Sequence, residues 1–129
     1  MKILVAEDER VQSRLLEKHL RGNGHDVVIA FDVEAAWRAL EKGPVHAILL
    51  DLLMPGGTGL GFLKKLKAEN LYRAIPVIVV TSVEDPLVRR MAGQIGAAAQ
   101  FTKPVNFILL DATLESVQAR NSRPASSSN

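Results

Sequence analysis

Cysteine is absent from the 129 residues. That gap removes a disulfide framework, a thiolate zinc site and a cysteine nucleophile together. Long apolar runs are missing too. The first one, Ile3 to Ala6, has four residues, far too short for a signal-peptide core or a membrane span. The chain is therefore expected to be cytoplasmic, with no membrane partner. A basic face is also lacking. Sixteen Lys and Arg oppose fourteen Asp and Glu, and the whole excess lies in Arg120 and Arg123. The pI near 9.2 thus gives no support for direct nucleic-acid binding by the folded part. There is no internal repeat and no GxGxxG or P-loop pattern. His19, His25 and His46 have no metal-like spacing.

What remains is the composition of a soluble globular chain, with 47% hydrophobic and 23% charged residues. The length suits one domain, which at this size buries roughly two-thirds of its unfolded surface. Short aliphatic runs recur at 3–6, 27–30, 47–50, 77–80 and, more weakly, 97–101. Without polar alternation they read as strands buried on both faces. Helical patterns lie between them. Val11, Leu15, Leu16 and Leu20 mark the first; Ala35, Ala36, Ala39 and Leu40 the second; Leu60, Leu63 and Leu66 the third. Val88, Met91, Ala92 and Ile95 mark a fourth, opened by Asp85 and Pro86. A fifth runs from about Asn106 to Ala119. Five β–α units in succession predict an α/β fold: a doubly wound parallel sheet of flavodoxin type, order 2-1-3-4-5, with five helices. The domain is assigned to 1–119, and 120–129 reads as a disordered tail or linker remnant.

The polar residues that interrupt this pattern stand at strand ends: Glu7 and Asp8 after the first, Asp51 after the third, Thr81 after the fourth, Lys103 after the fifth. Open α/β sheets bind ligands outside the carboxyl ends of their strands, so all five face one crevice. Three carboxylates there repel one another unless a cation joins them. Oxygen ligands without His or Cys favour a hard ion, Mg²⁺ rather than zinc. Neutralised in this way, a carboxylate can attack a phosphoryl group, with Lys103 and the Thr81 hydroxyl as donors.

Over residues 1 to about 119 the chain resembles the receiver domains of bacterial response regulators. The matching pieces are Ile3 through Asp8, Leu50 through Pro55, Val80-Thr81-Ser82 and Phe101 through Pro104. The resemblance implies Asp51 as phospho-acceptor. Mg²⁺ would be held by Asp8 with Glu7, Asp51 and the main-chain carbonyl of Leu53. Lys103 would pair with the phosphoryl group before a cis Lys103–Pro104 bond, and Thr81 and Phe101 would form the conformational readout. It implies a histidine kinase or His-phosphotransfer protein as donor, and a regulatory domain rather than an enzyme, limited to its own phosphorylation and slow self-dephosphorylation. Departures are Thr58, where the commoner pattern has Asp but which still serves as an N-cap, and Phe101, where Tyr is frequent.

Leu53 and Val83 border the expected pocket with no polar group to orient a water, which predicts slow loss of phosphate. Phe107 to Leu110 places four apolar residues in a row. Phe107, Leu110, Leu114 and Val117 form the expected core face, leaving Ile108 and Leu109 outward as a self-association or effector surface with the fourth helix and fifth strand. Two rival readings are a metal-dependent phosphohydrolase, which lacks a second Asp at position 53 and a substrate cap, and a phosphorylation-independent scaffold. No DNA-binding or catalytic segment follows Ala119, so the chain is expected either to act alone or to belong to a longer protein.

Overall fold

The computed structural model describes residues 1–121. Strands and helices alternate strictly: β1 (Lys2–Ala6), α1 (Arg10–Gly22), β2 (Asp26–Ala30), α2 (Val33–Glu41), β3 (Ala47–Leu50), α3 (Gly59–Ala68), β4 (Val77–Thr81), α4 (Pro86–Ile95), β5 (Ala99–Thr102) and α5 (Phe107–Asn121). The strands form one sheet in the order β2-β1-β3-β4-β5, every pairing parallel. This is the predicted 2-1-3-4-5 arrangement, with five helices among the described residues. Helix α5 carries through to Asn121; the rest of the expected tail lies outside the described residues.

Period-two alternation along the strands divides the core into two layers. Leu4, Ala6, Ile48, Leu50, Val77 and Val79 pack with Leu40, Phe62, Leu63, Leu66 and Ala92, which puts α2, α3 and α4 on one face. Ile3, Val5, Leu49, Ile78 and Val80 pack with Leu16, Leu20, Leu110 and Leu114, which puts α1 and α5 on the other. Each buried aliphatic side chain contributes about 1.5–3 kcal/mol by leaving water, so the fully buried sheet centre, β1-β3-β4, carries much of the hydrophobic stabilisation.

Helix starts follow their capping residues. Ala35 N–H donates to Asp32 Oδ1 (2.7 Å), Gly61 N–H to Thr58 Oγ1 (2.9 Å) and Leu87 N–H to Asp85 Oδ1 (2.9 Å), with Pro86 opening α4. These bonds satisfy helix N–H groups that have no intrahelical acceptor.

Three helix faces differ from the sequence expectation. On α4 only Ala92 is buried; Val88 and Ile95 are half-buried and Met91 is exposed. On α1 the buried residues are Ser13, Leu16 and Leu20, whereas Val11 and Leu15 are exposed. The helix is rotated so that the small Ser13 meets the sheet, its hydroxyl donating to the Arg10 carbonyl at 3.1 Å. On α3, Phe62 joins Leu63 and Leu66 in the core while Leu60 is only half-buried. The α5 face follows the expected spacing, with Leu110, Leu114 and Val117 buried and Ile108 and Leu109 respectively 80% and 55% exposed.

Candidate functional site

The sheet ladder continues one residue past three strands, and this positions the site. Glu7 N–H donates to the Ala30 carbonyl, Asp51 N–H to Ala6 and Lys103 N–H to Thr81, each at 3.0 Å. Glu7, Asp51 and Lys103 therefore hang from backbone tied into the sheet ladder although they lie just past the strands.

Asp51 is the hub. Its Oδ1 accepts from Thr81 Oγ1 at 2.7 Å and from Leu53 N–H at 3.0 Å; its Oδ2 accepts from Lys103 Nζ at 2.7 Å. Lys103 Nζ also donates to Glu7 Oε1. Glu7, Asp51 and Thr81 are buried, whereas Asp8 is exposed at the rim. One carboxylate oxygen from each of Glu7, Asp8 and Asp51 lies within 4.8 Å of the others.

The electrostatics follow from that packing. Burial raises the Glu7 carboxyl to about 7, with Asp51 adding to the rise and Lys103 opposing it. Burial also pushes Asp51 upward, but the Leu53 N–H, Lys103, Glu7 and Thr81 together outweigh it and hold the carboxyl below its ordinary 3.8. For Lys103 burial favours the neutral amine, yet Asp51 and Glu7 keep its pKa above 10.5. Glu7 Oε2 is buried with no hydrogen-bond partner, a deficit worth about 1–3 kcal/mol. An orphaned carboxylate oxygen beside two further acid groups and no soft ligand suits a hard divalent cation.

The β3–α3 loop closes one wall. Gly56 and Gly57 turn the chain at φ +84° and +140°, a region open mainly to glycine, and the Pro55 carbonyl accepts from Val33 N–H at 3.2 Å. Gly59 lets α3 press on the segment that follows β3. A Cβ there would overlap Leu52 Cα and stand 2.9 Å from the Asp51 carbonyl oxygen. The opposite wall is the β5–α5 loop, where the Lys103–Pro104 peptide is cis. Phe101 is half-buried against the α1–α5 layer.

Glu7, Asp8, Asp51, Thr81 and Lys103 are thus brought to one crevice. The Leu53 side chain is 56% exposed and Val83 is half-buried against the α2–α4 layer. Sequence reasoning missed the Leu53 N–H as a donor; an Asp followed two residues later by an amide was the available signal. It also missed His19, which stacks on Phe107 (centroids 4.1 Å apart) and meets Asp111 Oδ1 at 2.8 Å. Partners 92 residues apart leave no trace in local spacing.

Comparison with solved structures gives the same architecture. The receiver domain of a signal transduction histidine kinase from Syntrophus aciditrophicus matches with a TM-score of 0.88 at 28% identity, covering 97% of this chain and 95% of that one. The receiver domain of the sensor histidine kinase PA1611 from Pseudomonas aeruginosa PAO1 matches at 0.81 and 28% identity, covering 89% and 94%; that structure has a magnesium ion coordinated in its active-site cleft. Among curated proteins, the phosphate regulon transcriptional regulatory protein PhoB of Escherichia coli K12 is 36% identical over 119 residues, which is 92% of this chain and 52% of that protein. The chain spans about half the length of the first curated relatives it matches. The family model for the response regulator receiver domain matches residues 3–115, and the chain belongs to that family.

Proposed function

We propose that this receiver accepts a phosphoryl group on Asp51, with Mg²⁺, from a histidine kinase or His-phosphotransfer protein in the cytoplasm. The observation that carries the reading is the set of donors converging on one buried carboxylate: Thr81 and the Leu53 N–H on Oδ1, Lys103 on Oδ2. Each donor that now serves the carboxylate is in reach of a phosphoryl oxygen added to it.

The residues divide the work. Asp51 is the nucleophile; its depressed pKa keeps it ionised at neutral pH, as attack on phosphorus requires. Lys103 and Thr81 transfer their hydrogen bonds from carboxylate to phosphoryl oxygens as the new bond forms and the donor's P–N or P–O bond breaks. Glu7, Asp8, Asp51 and the Leu53 carbonyl would hold Mg²⁺, which when bound supplies positive charge against the carboxylates and the phosphoryl oxygens. Withdrawal of the Thr81 hydroxyl toward phosphate leaves room behind it for the half-buried Phe101 ring, the readout. The exposed Ile108 and Leu109 on α5, beside α4 and β5, are the surface offered to an effector or a second copy. Leu53 and Val83 present no polar side chain to an attacking water, so self-dephosphorylation is slow.

Mg²⁺-dependent labelling by a small acyl phosphate tests this, with Asp51→Asn as control. Stable label on the wild type alone supports the reading. Turnover of many equivalents would indicate a phosphohydrolase, and no label a scaffold.

A further inference from the structure

Arg89, on α4, spends its guanidinium on a carbonyl. Its Nη1 donates to the Val83 main-chain oxygen at 3.1 Å, and among the described residues no carboxylate lies within ion-pair distance of it. Val83 belongs to the loop that leaves β4 beside Asp51. Its own N–H donates to Thr81 Oγ1 at 3.3 Å, and Thr81 Oγ1 donates in turn to Asp51 Oδ1. A hydroxyl has one hydrogen and two lone pairs. With Val83 N–H on a lone pair, the Thr81 hydrogen is turned toward Asp51.

Arg89 is itself held from the neighbouring strand. Gln100 Nε2 on β5 donates to the Arg89 main-chain oxygen at 2.7 Å, while Gln100 Oε1 is buried without a partner. A buried acceptor left unmade is costly, so that amide is oriented by its bond to Arg89. Hydrogen bonds joined through the Arg89 and Val83 residues therefore link β5, α4 and the β4–α4 loop to the acceptor carboxylate.

We infer that Arg89 is a positioning residue for phosphoryl acceptance. Acting through Val83, it holds the Thr81 hydroxyl with its hydrogen aimed at the place where the phosphoryl oxygens arrive. The hydroxyl then meets the incoming group without first reorganising. This rests on the reading of Asp51 as phospho-acceptor.

The test uses the full chain, saturating Mg²⁺ and a small acyl phosphate, with labelling rates measured across donor concentration. Arg89→Ala is expected to lower the maximal rate about 3- to 10-fold, the worth of roughly one hydrogen bond, with donor half-saturation changed less than about 2-fold. Arg89→Lys keeps a donor within reach of the Val83 carbonyl and should recover most of the loss. In a Thr81→Val background Arg89→Ala should cost nothing further, because its effect passes through that hydroxyl. Arg89→Met, which keeps the aliphatic stem, replaces the alanine variant if the latter fails to fold.

A wild-type rate in Arg89→Ala, or in Arg89→Met where it stands in for alanine, would overturn the inference, and so would an equal loss with and without Thr81, the mark of general damage to α4. If the wild type takes no more label than Asp51→Asn, the phospho-acceptor reading itself fails and this one with it.

Discussion

Glu7→Gln removes a titrating group while keeping the side chain's size and one acceptor oxygen. Burial first, then Asp51, lifts the Glu7 carboxyl from 4.5 to about 7 on folding. A group whose pKa rises on folding adds stability that is fully present below the unfolded value and lost as pH climbs through the folded one. For that pair of values, going from about pH 5.5 to about pH 8 in chelator removes about 2 kcal/mol. His25 works in the opposite sense. Burial, then the adjacent amino terminus, lowers its pKa from 6.5, so its contribution is present above 6.5 and lost as pH falls. Asp51, lowered from 3.8, and Lys103, raised from 10.5, titrate outside this window. The difference between wild type and Glu7→Gln cancels His25 and isolates Glu7. The assay is urea unfolding at both pH values with chelator. Trp37 fluorescence is the signal, since that ring packs edge-on against Phe62 at 4.8 Å. The wild type should lose about 2 kcal/mol relative to the variant across the range, and added Mg²⁺ should abolish the difference by holding Glu7 ionised. Parallel stability profiles for the two proteins in chelator would refute the reasoning.

Lys103→Ala leaves Glu7 and Asp51 without their cation; Mg²⁺ affinity should rise roughly 10-fold as a competing positive charge is removed, while labelling by acyl phosphate falls, both measurable by titration and a rate assay. Gly59→Ala drives a Cβ into the Leu52 backbone and should cost about 2–4 kcal/mol in denaturant unfolding; a neutral result would mean α3 does not press on the segment that follows β3. Leu53→Asn gives the pocket rim a group able to orient water and should shorten the phosphate lifetime roughly 3- to 10-fold, followed as loss of label from purified phosphoprotein.

The sheet was legible because residues 3–6, 47–50 and 77–80 are aliphatic without interruption, which burial on both faces explains. The site was legible because chemistry-bearing residues interrupt that pattern at the ends of four of the five strands. Helix faces were less so. Ser13 is buried and Val11 exposed because the orientation of α1 is fixed by how closely a small residue lets it approach the sheet, a tertiary matter that periodicity does not encode. The Leu53–Asp51 and Arg89–Val83 bonds each have one main-chain partner, so on that side the residue type carries no sign of the contact. The His19–Asp111 pair joins α1 to α5 across 92 residues, and its residue types say nothing of their meeting.

The Lys103–Glu7 contact spans 96 positions of chain, and its consequence concerns the order of events during synthesis. Parallel strands with such separations pair late, after much loop entropy has been spent. A nascent chain stopped before β5 carries Asp51, Glu7 and Asp8 yet lacks Lys103, the cation that pairs with Glu7 and Asp51 among the described residues, so its acid cluster repels itself. On the proposed reading, competence to take phosphate is conferred by the last strand and its loop, and labelling would double as a report that the whole sheet has closed.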